Sequence, residues 1–296
     1  MNPPAPKAEV AITAELVRCL LATQHPDLAD RPLTYLAEGW DNVMYRLGAD
    51  LVIRLPRREM SVGLIAHEAR WLPELAPRLE VPISAAVRAG QPSEQFGWPW
   101  LIVPWIPGIT LEQSELDGAE PAESVAVALG AALAALHHPA PDVAPHNPYR
   151  GIPLAERNPV TSHRLGQLRA REPELGATAT AIWQEGMDAP AWDGPPLWIH
   201  GDLHPRNLLV HNQQLAGIID WGDISAGDPA YDLGVAWLAI PAQHRDAFWR
   251  AADCAARPIS EVLRRRSRAC AVAWCAAVGG SAQSDWANRL MSLTVA

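Results

Sequence analysis

Asp202 and Asn207 stand five residues apart in Trp198-Ile-His-Gly-Asp-Leu-His-Pro-Arg-Asn207, and Asp220 follows in Ile218-Ile-Asp-Trp-Gly-Asp223. These oxygen-bearing side chains, at this spacing, suit phosphoryl transfer. The terminal phosphates of a nucleotide carry several negative charges, so an attacking hydroxyl needs divalent cations to neutralise them and a base aimed at its proton. Asp202 is assigned as that base. Asn207 offers a neutral amide oxygen and Asp220 a carboxylate, a pair that holds Mg2+ without excess negative charge.

The elements around these residues follow from pattern. Pro205 and the short Leu203 to Arg206 stretch form a turn that returns Asn207 toward Asp202, and the apolar Leu208-Leu-Val210 predicts a buried strand. A hairpin through His211-Asn-Gln-Gln214 leads into Leu215 to Ile219. Asp and Asn also favour turns for purely structural reasons, which is the competing account of each residue taken singly. A second chemistry is open as well: His200, Asp202, His204 and Asp220 could ligate zinc or manganese in a hydrolase, a scheme that leaves Asn207 idle. In the transfer scheme His200 is structural, because the carboxylate two residues on already fills the base role.

The blocks His200-Gly-Asp-Leu-His-Pro-Arg-Asn207, Ile219-Asp-Trp-Gly-Asp223 and Gly227-Asp-Pro-Ala-Tyr-Asp232 resemble the signatures of the aminoglycoside phosphotransferase family, which includes macrolide phosphotransferases and choline-kinase-like enzymes. The resemblance is strong over about residues 195 to 240 and weaker over about 33 to 108. It implies an α+β, protein-kinase-like fold of two lobes, with a small antiparallel sheet in the N-lobe and a mainly helical C-lobe. The lobes are expected at 1–105, nucleotide-binding with a leading helix, and at 106–296, with the catalytic loop and acceptor pocket. It also implies ATP or GTP as donor and a small-molecule hydroxyl as acceptor.

Leu33 to Gly39, Asn42 to Gly48 and Leu51 to Leu55 read as three short strands separated by turn residues. The loop Ala37-Glu-Gly-Trp-Asp-Asn42 falls where a phosphate-covering loop belongs but lacks repeated glycines, so an ordinary hairpin turn explains it equally well. The fold also calls for a cation on the third strand paired with a helix carboxylate. Lys7, in a proline-rich tail, is the one lysine in the chain, which leaves Arg54 in Val52-Ile-Arg-Leu-Pro56 for that work. Its expected partner is Glu68, on a helix over Val62 to Leu79 whose buried stripe is Ile65, Ala69, Leu72 and Leu75. A solvated helix glutamate is the alternative. In Trp98-Pro-Trp-Leu-Ile-Val-Pro-Trp-Ile-Pro-Gly108 the resemblance places a hinge, with the backbone of Val103, Pro104 and Trp105 reading the base edge.

Helices are expected over Ala122 to His137, Ser162 to Ala189 and Ile259 to Val278, with a loop from Asn147 to Pro159. The short run from Asp220 to Gly227-Asp-Pro229 leaves no room for a long regulated loop, which favours a small acceptor over a protein. Asp228 is expected to cap the helix that follows, Asp232 to tie down the catalytic loop, and Asp223 either to support the metals or to sit in a surface turn. For the acceptor, Glu156, Glu172, Glu174, Glu185, Asp188 and Asp193 would attract a polycation, whereas Trp183, Trp192, Trp237, Trp249, Trp274 and Trp286 would suit a macrolide-like or nucleoside-like ligand. Most of those tryptophans are expected in the core.

A net charge of -9 disfavours nucleic acid as a partner, and the basic run Arg264-Arg-Arg-Ser-Arg268 is read as a solvated helix face. Cys19, Cys254, Cys270 and Cys275 lack metal-binding spacing and are expected to be reduced. The start Met1-Asn-Pro-Pro-Ala-Pro has no signal-peptide pattern, and no apolar run is of membrane-spanning length, so a cytoplasmic monomer or weak dimer is expected. The missing strand lysine and the glycine-poor loop leave one further alternative, a degenerate protein that binds a nucleotide or small molecule without transfer.

Overall fold

The computed structural model describes residues 7–278 together with Arg289, Leu290 and Leu293. Trp286 lies outside these. The described residues divide into two compact units, one holding residues 7–107 together with Ile218–Gly222, the other Gly108–Gly217 and the described residues from Asp223 on.

The first unit is built on an antiparallel sheet. Helix α1 (Ala14–Gln24), capped by the Thr13 side chain, precedes β1 (Leu33–Glu38), β2 (Asn42–Leu47) and β3 (Leu51–Pro56). Helix α2 (Val62–Leu75) and strands β4 (Arg88–Gly90) and β5 (Trp100–Pro104) complete it, in the order β1-β2-β3-β5-β4. The expected long helix stops at Leu75, with a single 3-10 turn over Ala76–Arg78 in place of its last residues. Pro73 and Pro77 crowd this end of the helix, and each lacks the N–H that would continue the ladder.

Because side chains alternate across a strand, β3 serves two cores. Ile53 and Leu55 face Val17, Leu20 and Leu21 of α1, while Val52 packs with Ile65 of α2 and with Leu101 and Val103. Arg54 shares the parity of Val52, so the same alternation aims it at α2. On that helix Glu68 lies three residues after Ile65 and four before Leu72, all three of them buried.

The second unit is mainly helical. It carries β6 (Ile109–Thr110), α3 (Leu111–Leu116), α4 (Glu123–Leu136), α5 (Leu154–Arg171) and α6 (Pro173–Asp188). Strands β7 (Leu197–Ile199), β8 (Leu208–His211), β9 (Gln214–Ile218) and β10 (Ser225–Gly227) follow, β9 running into the first unit at its last residue. Helices α7 (Ala230–Leu233), α8 (Val235–Ala239), α9 (Arg245–Ala252) and α10 (Glu261–Val278) come next. The expected loop to Pro159 is corrected: α5 starts at Leu154 and takes Pro159 inside it. Pro159 is the sixth residue of α5, past its first turn, so the helix forgoes the bond that an N–H there would make to the Ala155 carbonyl.

Helix α4 packs on α9, and α10 packs on α5 and α6. Gly130 of α4 permits the first contact, since a Cβ there would lie 2.5 Å from the Phe248 carbonyl oxygen and 2.9 Å from the Ala251 Cβ. Gly130→Ala is therefore expected to force the two helices apart and cost about 1–3 kcal/mol. Urea denaturation checks this: an unchanged midpoint would mean that the pair relaxes freely. No described helix is long and apolar enough to cross a membrane. All four cysteines are free, and burial pushes the Cys275 thiol up to about 12, which keeps it protonated.

Candidate active site

In the sheet unit, Arg54 and Glu68 form a buried ion pair through Nη1 and Oε2, so Glu68 is not a solvated helix residue. Burial disfavours the charged guanidinium, but Glu68 and then Asp220 outweigh it and raise the Arg54 pKa above its ordinary value. Asp220 comes to the same unit because the backbone of Ile218 bonds Pro82, N to O at 3.0 Å, and pairs with Ile83. The carboxylate Oδ1 of Asp220 lies 3.6 Å from Arg54 Nη2, and its side chain is 59% exposed. Asp220 has φ of 61°, a left-handed conformation that costs a non-glycine residue about 1 kcal/mol or more and marks functional turns. Trp221 anchors the turn by donating Nε1–H to the Ile218 carbonyl.

The loop at 37–42 is a hairpin turn closed by Gly39 N–H to the Asn42 carbonyl. Arg57 Nη1 donates to the Gly39 carbonyl at 2.8 Å, and Asp41 Oδ1 accepts from Ser61 Oγ and Arg58 Nη2. These arginine and serine contacts fix the loop without further glycines. Of the hinge residues, Val103 is buried in β5. Val103 pairs with Val52 in the ladder between β3 and β5, Pro104 has no N–H, and that of Trp105 goes to the Asp50 carbonyl at 2.7 Å.

In the helical unit, β7 ends at Ile199 and the chain turns at Gly201, whose φ of 84° suits glycine. A Cβ at Gly201 would lie 2.5 Å from the Asp223 carbonyl oxygen. That close approach follows from β10 pairing antiparallel with β7, Ser225 opposite Ile199. Asp232, fully buried on α7, accepts from the backbone N–H of His200 at 2.7 Å and of Gly201 at 2.9 Å, as its position in the sequence led us to expect. His137 Nε2 lies 3.2 Å from the same carboxylate. Buried His200 accepts the Asp202 N–H on Nδ1.

A 3-10 turn over Pro205–Asn207 then carries Asn207 back, so that its Nδ2 donates to the Asp202 carbonyl at 2.9 Å and lies 3.2 Å from His204 Nε2. With the amide nitrogen so engaged, the oxygen is the end of Asn207 left to face a ligand. Beyond it, Asn212 and Gln213, with φ of 49° and 59°, make the two-residue turn that joins β8 and β9.

Asp202 Oδ1 is 3.0 Å from Arg150 Nη2, and Oδ2 is 3.3 Å from His204 Nε2. Burial alone would raise the Asp202 pKa, but Arg150 and His204 outweigh it and hold the carboxyl well below the usual carboxylate range. Arg150 also contacts Asp223 Oδ2 at 3.3 Å and donates to the Tyr231 hydroxyl at 2.9 Å. Asp223 further accepts from Asn147 Nδ2, so it is a braced member of this cluster and not a loose surface turn. Arg150 was not singled out from sequence; it lies in a Pro- and Gly-containing loop with no periodicity to flag it.

Among the described residues no three His, Cys, Asp or Glu side chains gather closely enough to hold a metal. The basic run on α10 is corrected: Arg266 is buried, and its Nε and Nη2 lie 3.1 Å from the two Asp228 carboxylate oxygens. Arg264 and Arg268 cover the Trp249 and Trp237 rings, leaving Arg265 as the solvated member. Asp228 also caps α7 as expected, accepting from Ala230 N–H. Trp183 and Trp249 are core residues, whereas Trp274 is half-buried against the His204 ring, centroids 4.9 Å apart.

Residues 32–266 match the family described as the phosphotransferase enzyme family. The chain belongs to that family. Relatives of this phosphotransferase family member include the uncharacterized protein YcbJ of Bacillus subtilis (strain 168), 29% identical over 63% of this chain and 62% of that protein. A homoserine kinase of Methylocella silvestris is 28% identical over 71% of this chain and 66% of that enzyme. The chain thus spans somewhat less than two thirds of the length of these curated relatives. Among solved structures, the GDP complex of aminoglycoside 2'-phosphotransferase-IIIa superposes with a TM-score of 0.69 at 20% identity, covering 96% of this chain and 97% of that one. The macrolide 2'-phosphotransferase MphH of Brachybacterium faecium superposes with a TM-score of 0.59 at 21% identity, over 96% and 98% of the two chains. These likenesses establish the α+β fold.

Proposed function

We propose that this protein is a magnesium-dependent small-molecule kinase of the cytoplasm, transferring the terminal phosphate of ATP or GTP to an acceptor hydroxyl. The observation that carries the reading is the turn in which Asn207 donates to the Asp202 carbonyl while the Asp202 carboxylate is presented beside it. A hydrolase built on His200, Asp202, His204 and Asp220 leaves that amide idle.

In this reading Asp202 takes the hydroxyl proton, and Asn207 and Asp220 hold Mg2+. The donor set fits the ion, since an amide oxygen and a half-exposed carboxylate are hard ligands of modest total charge. Magnesium, when bound, would neutralise charge on the phosphates. Arg54, fixed by Glu68, contacts the α- and β-phosphates, and the backbone over Val103, Pro104 and Trp105 meets the base edge. The nucleotide function belongs to residues 1–105 and the acceptor function to 106–296.

The solved likenesses act on aminoglycosides and macrolides by their names, and the curated relatives include homoserine kinases, so the acceptor is an antibiotic or a hydroxylated metabolite. A transfer screen with the full chain, both nucleotides and acceptors from these classes tests the reading. Phosphorylated product is expected from at least one acceptor, lost with a chelator and restored by Mg2+. A protein that binds no nucleotide and consumes none would overturn it.

A further inference from the structure

Any hydroxyl that hands its proton to Asp202 must come beside a guanidinium. Arg150 Nη2 lies 3.0 Å from Asp202 Oδ1, and 25% of the Arg150 side chain is exposed. Three contacts, to Asp202, Asp223 and the Tyr231 hydroxyl, fix its planar head. A second guanidinium stands close by. Arg157 lies 5.5 Å from the Tyr231 ring centre, against 5.8 Å for Arg150. Its Nη1 donates to the Tyr149 carbonyl, and its buried Nε has no hydrogen-bond partner among the described residues.

We propose that Arg150, backed by Arg157, reads an anionic group on the acceptor, so that the substrate is a small hydroxylated carboxylate or phosphate and not a polycation. The inference rests on Asp202 being the base. A pre-positioned guanidinium recognises carboxylate or phosphate through parallel hydrogen bonds, whereas an ammonium group of an aminoglycoside finds no acceptor on either arginine. Asp202 and Asp223 balance the Arg150 charge in the free protein, whereas Glu156, Glu172, Glu174, Glu185, Asp188 and Asp193 are all exposed. Tyr231, half-buried between the arginines, gives the site an aromatic wall suited to a short carbon chain.

The transfer balances with the groups named. The acceptor O–H bond breaks and its proton passes to the Asp202 carboxylate. The oxygen forms a bond to the γ-phosphorus, and the bond from that phosphorus to the β,γ-bridging oxygen breaks, its electron pair leaving with the nucleoside diphosphate. Arg150 takes no part in this exchange beyond holding the acceptor's anionic end.

The test uses matched acceptors with the full chain and Mg-ATP or Mg-GTP. Homoserine is set against its amide, 4-hydroxybutyrate against 4-hydroxybutyramide, and glycerol 3-phosphate against glycerol, with kanamycin as the polycation. The acid of at least one pair is expected to exceed its neutral partner about 10- to 100-fold in kcat/KM, mostly through KM. The first two pairs report carboxylate recognition and the third phosphate. Arg150→Gln should bring that ratio toward one, and Arg150→Lys should restore part of it. Thermal shifts with the same pairs supply a binding readout that needs no turnover. A panel in which no acid is transferred or bound better than its neutral partner overturns the proposal, as does an unchanged ratio in Arg150→Gln. If Asp202→Asn transfers phosphate undiminished while the ratio still depends on Arg150, the base assignment fails alone; if Asp202→Asn is inactive and the wild type shows no ratio, this inference fails alone.

Discussion

Asp202→Ala is expected to lower phosphate transfer by about 10²- to 10⁴-fold, the usual contribution of a positioned general base. The loss should fall on kcat, because neither Asn207 nor the Arg54 and Glu68 pair uses the Asp202 carboxylate: Asn207 bonds its backbone carbonyl. Folding should be affected little. Arg150 keeps Asp223 and the Tyr231 hydroxyl, so the substitution leaves no uncompensated buried cation. The measurement is steady-state transfer on a variant whose thermal midpoint and nucleotide affinity match the wild type. Turnover equal to that of the wild type would remove the base assignment. Nucleotide binding without transfer in either protein would favour a degenerate binding protein, the account raised by the absent strand lysine.

Much of this site is legible in the sequence because its geometry is local. Asp202 to Asn207 span a single turn, and Pro205 all but dictates where the amide returns. Arg54 and Glu68 are also recoverable, since alternation along β3 and the stripe Ile65, Leu72 and Leu75 on α2 together force one buried cation toward one buried carboxylate. Asp232 required more, because its two backbone partners lie 32 and 31 residues away, yet a carboxylate early in a buried helix has few other uses.

Arg150 was invisible for the opposite reason. Its partners are 52 and 73 residues downstream in a region of loops, and no periodicity links an irregular segment to a strand end. Composition misled at α10, where a run of arginines looks solvated until the surrounding helices supply Asp228, Trp237 and Trp249. The same holds at Pro159, since proline is read as a helix breaker, yet α5 carries it at its sixth residue and forgoes one ladder bond.

Arg54→Ala is expected to act twice, on folding and on the nucleotide. Glu68 is 1% exposed and would lose its charged partner, a change that costs about 3–5 kcal/mol when a buried pair is broken from one side. Burial pushes the Glu68 carboxyl up, so in the variant it would take a proton and recover part of that loss. Nucleotide affinity should fall as well, because Lys7, the one lysine, is distant in sequence and no second cation is pledged to this strand. The double variant Arg54→Ala/Glu68→Ala separates the two effects. It removes both charges together and should regain stability over Arg54→Ala, with the two losses far from additive. Nucleotide binding should stay as weak as in the single variant, since the phosphate contact is absent from both. Arg54→Lys should keep part of the affinity, its point charge surviving without the bidentate fork. Chemical denaturation and nucleotide titration, run on all four proteins, give the answer. Affinity that returns with stability in the double variant would mean that Arg54 only shapes the fold. Affinity that stays lost assigns the guanidinium to the phosphates and leaves Glu68 as the group that holds it in place.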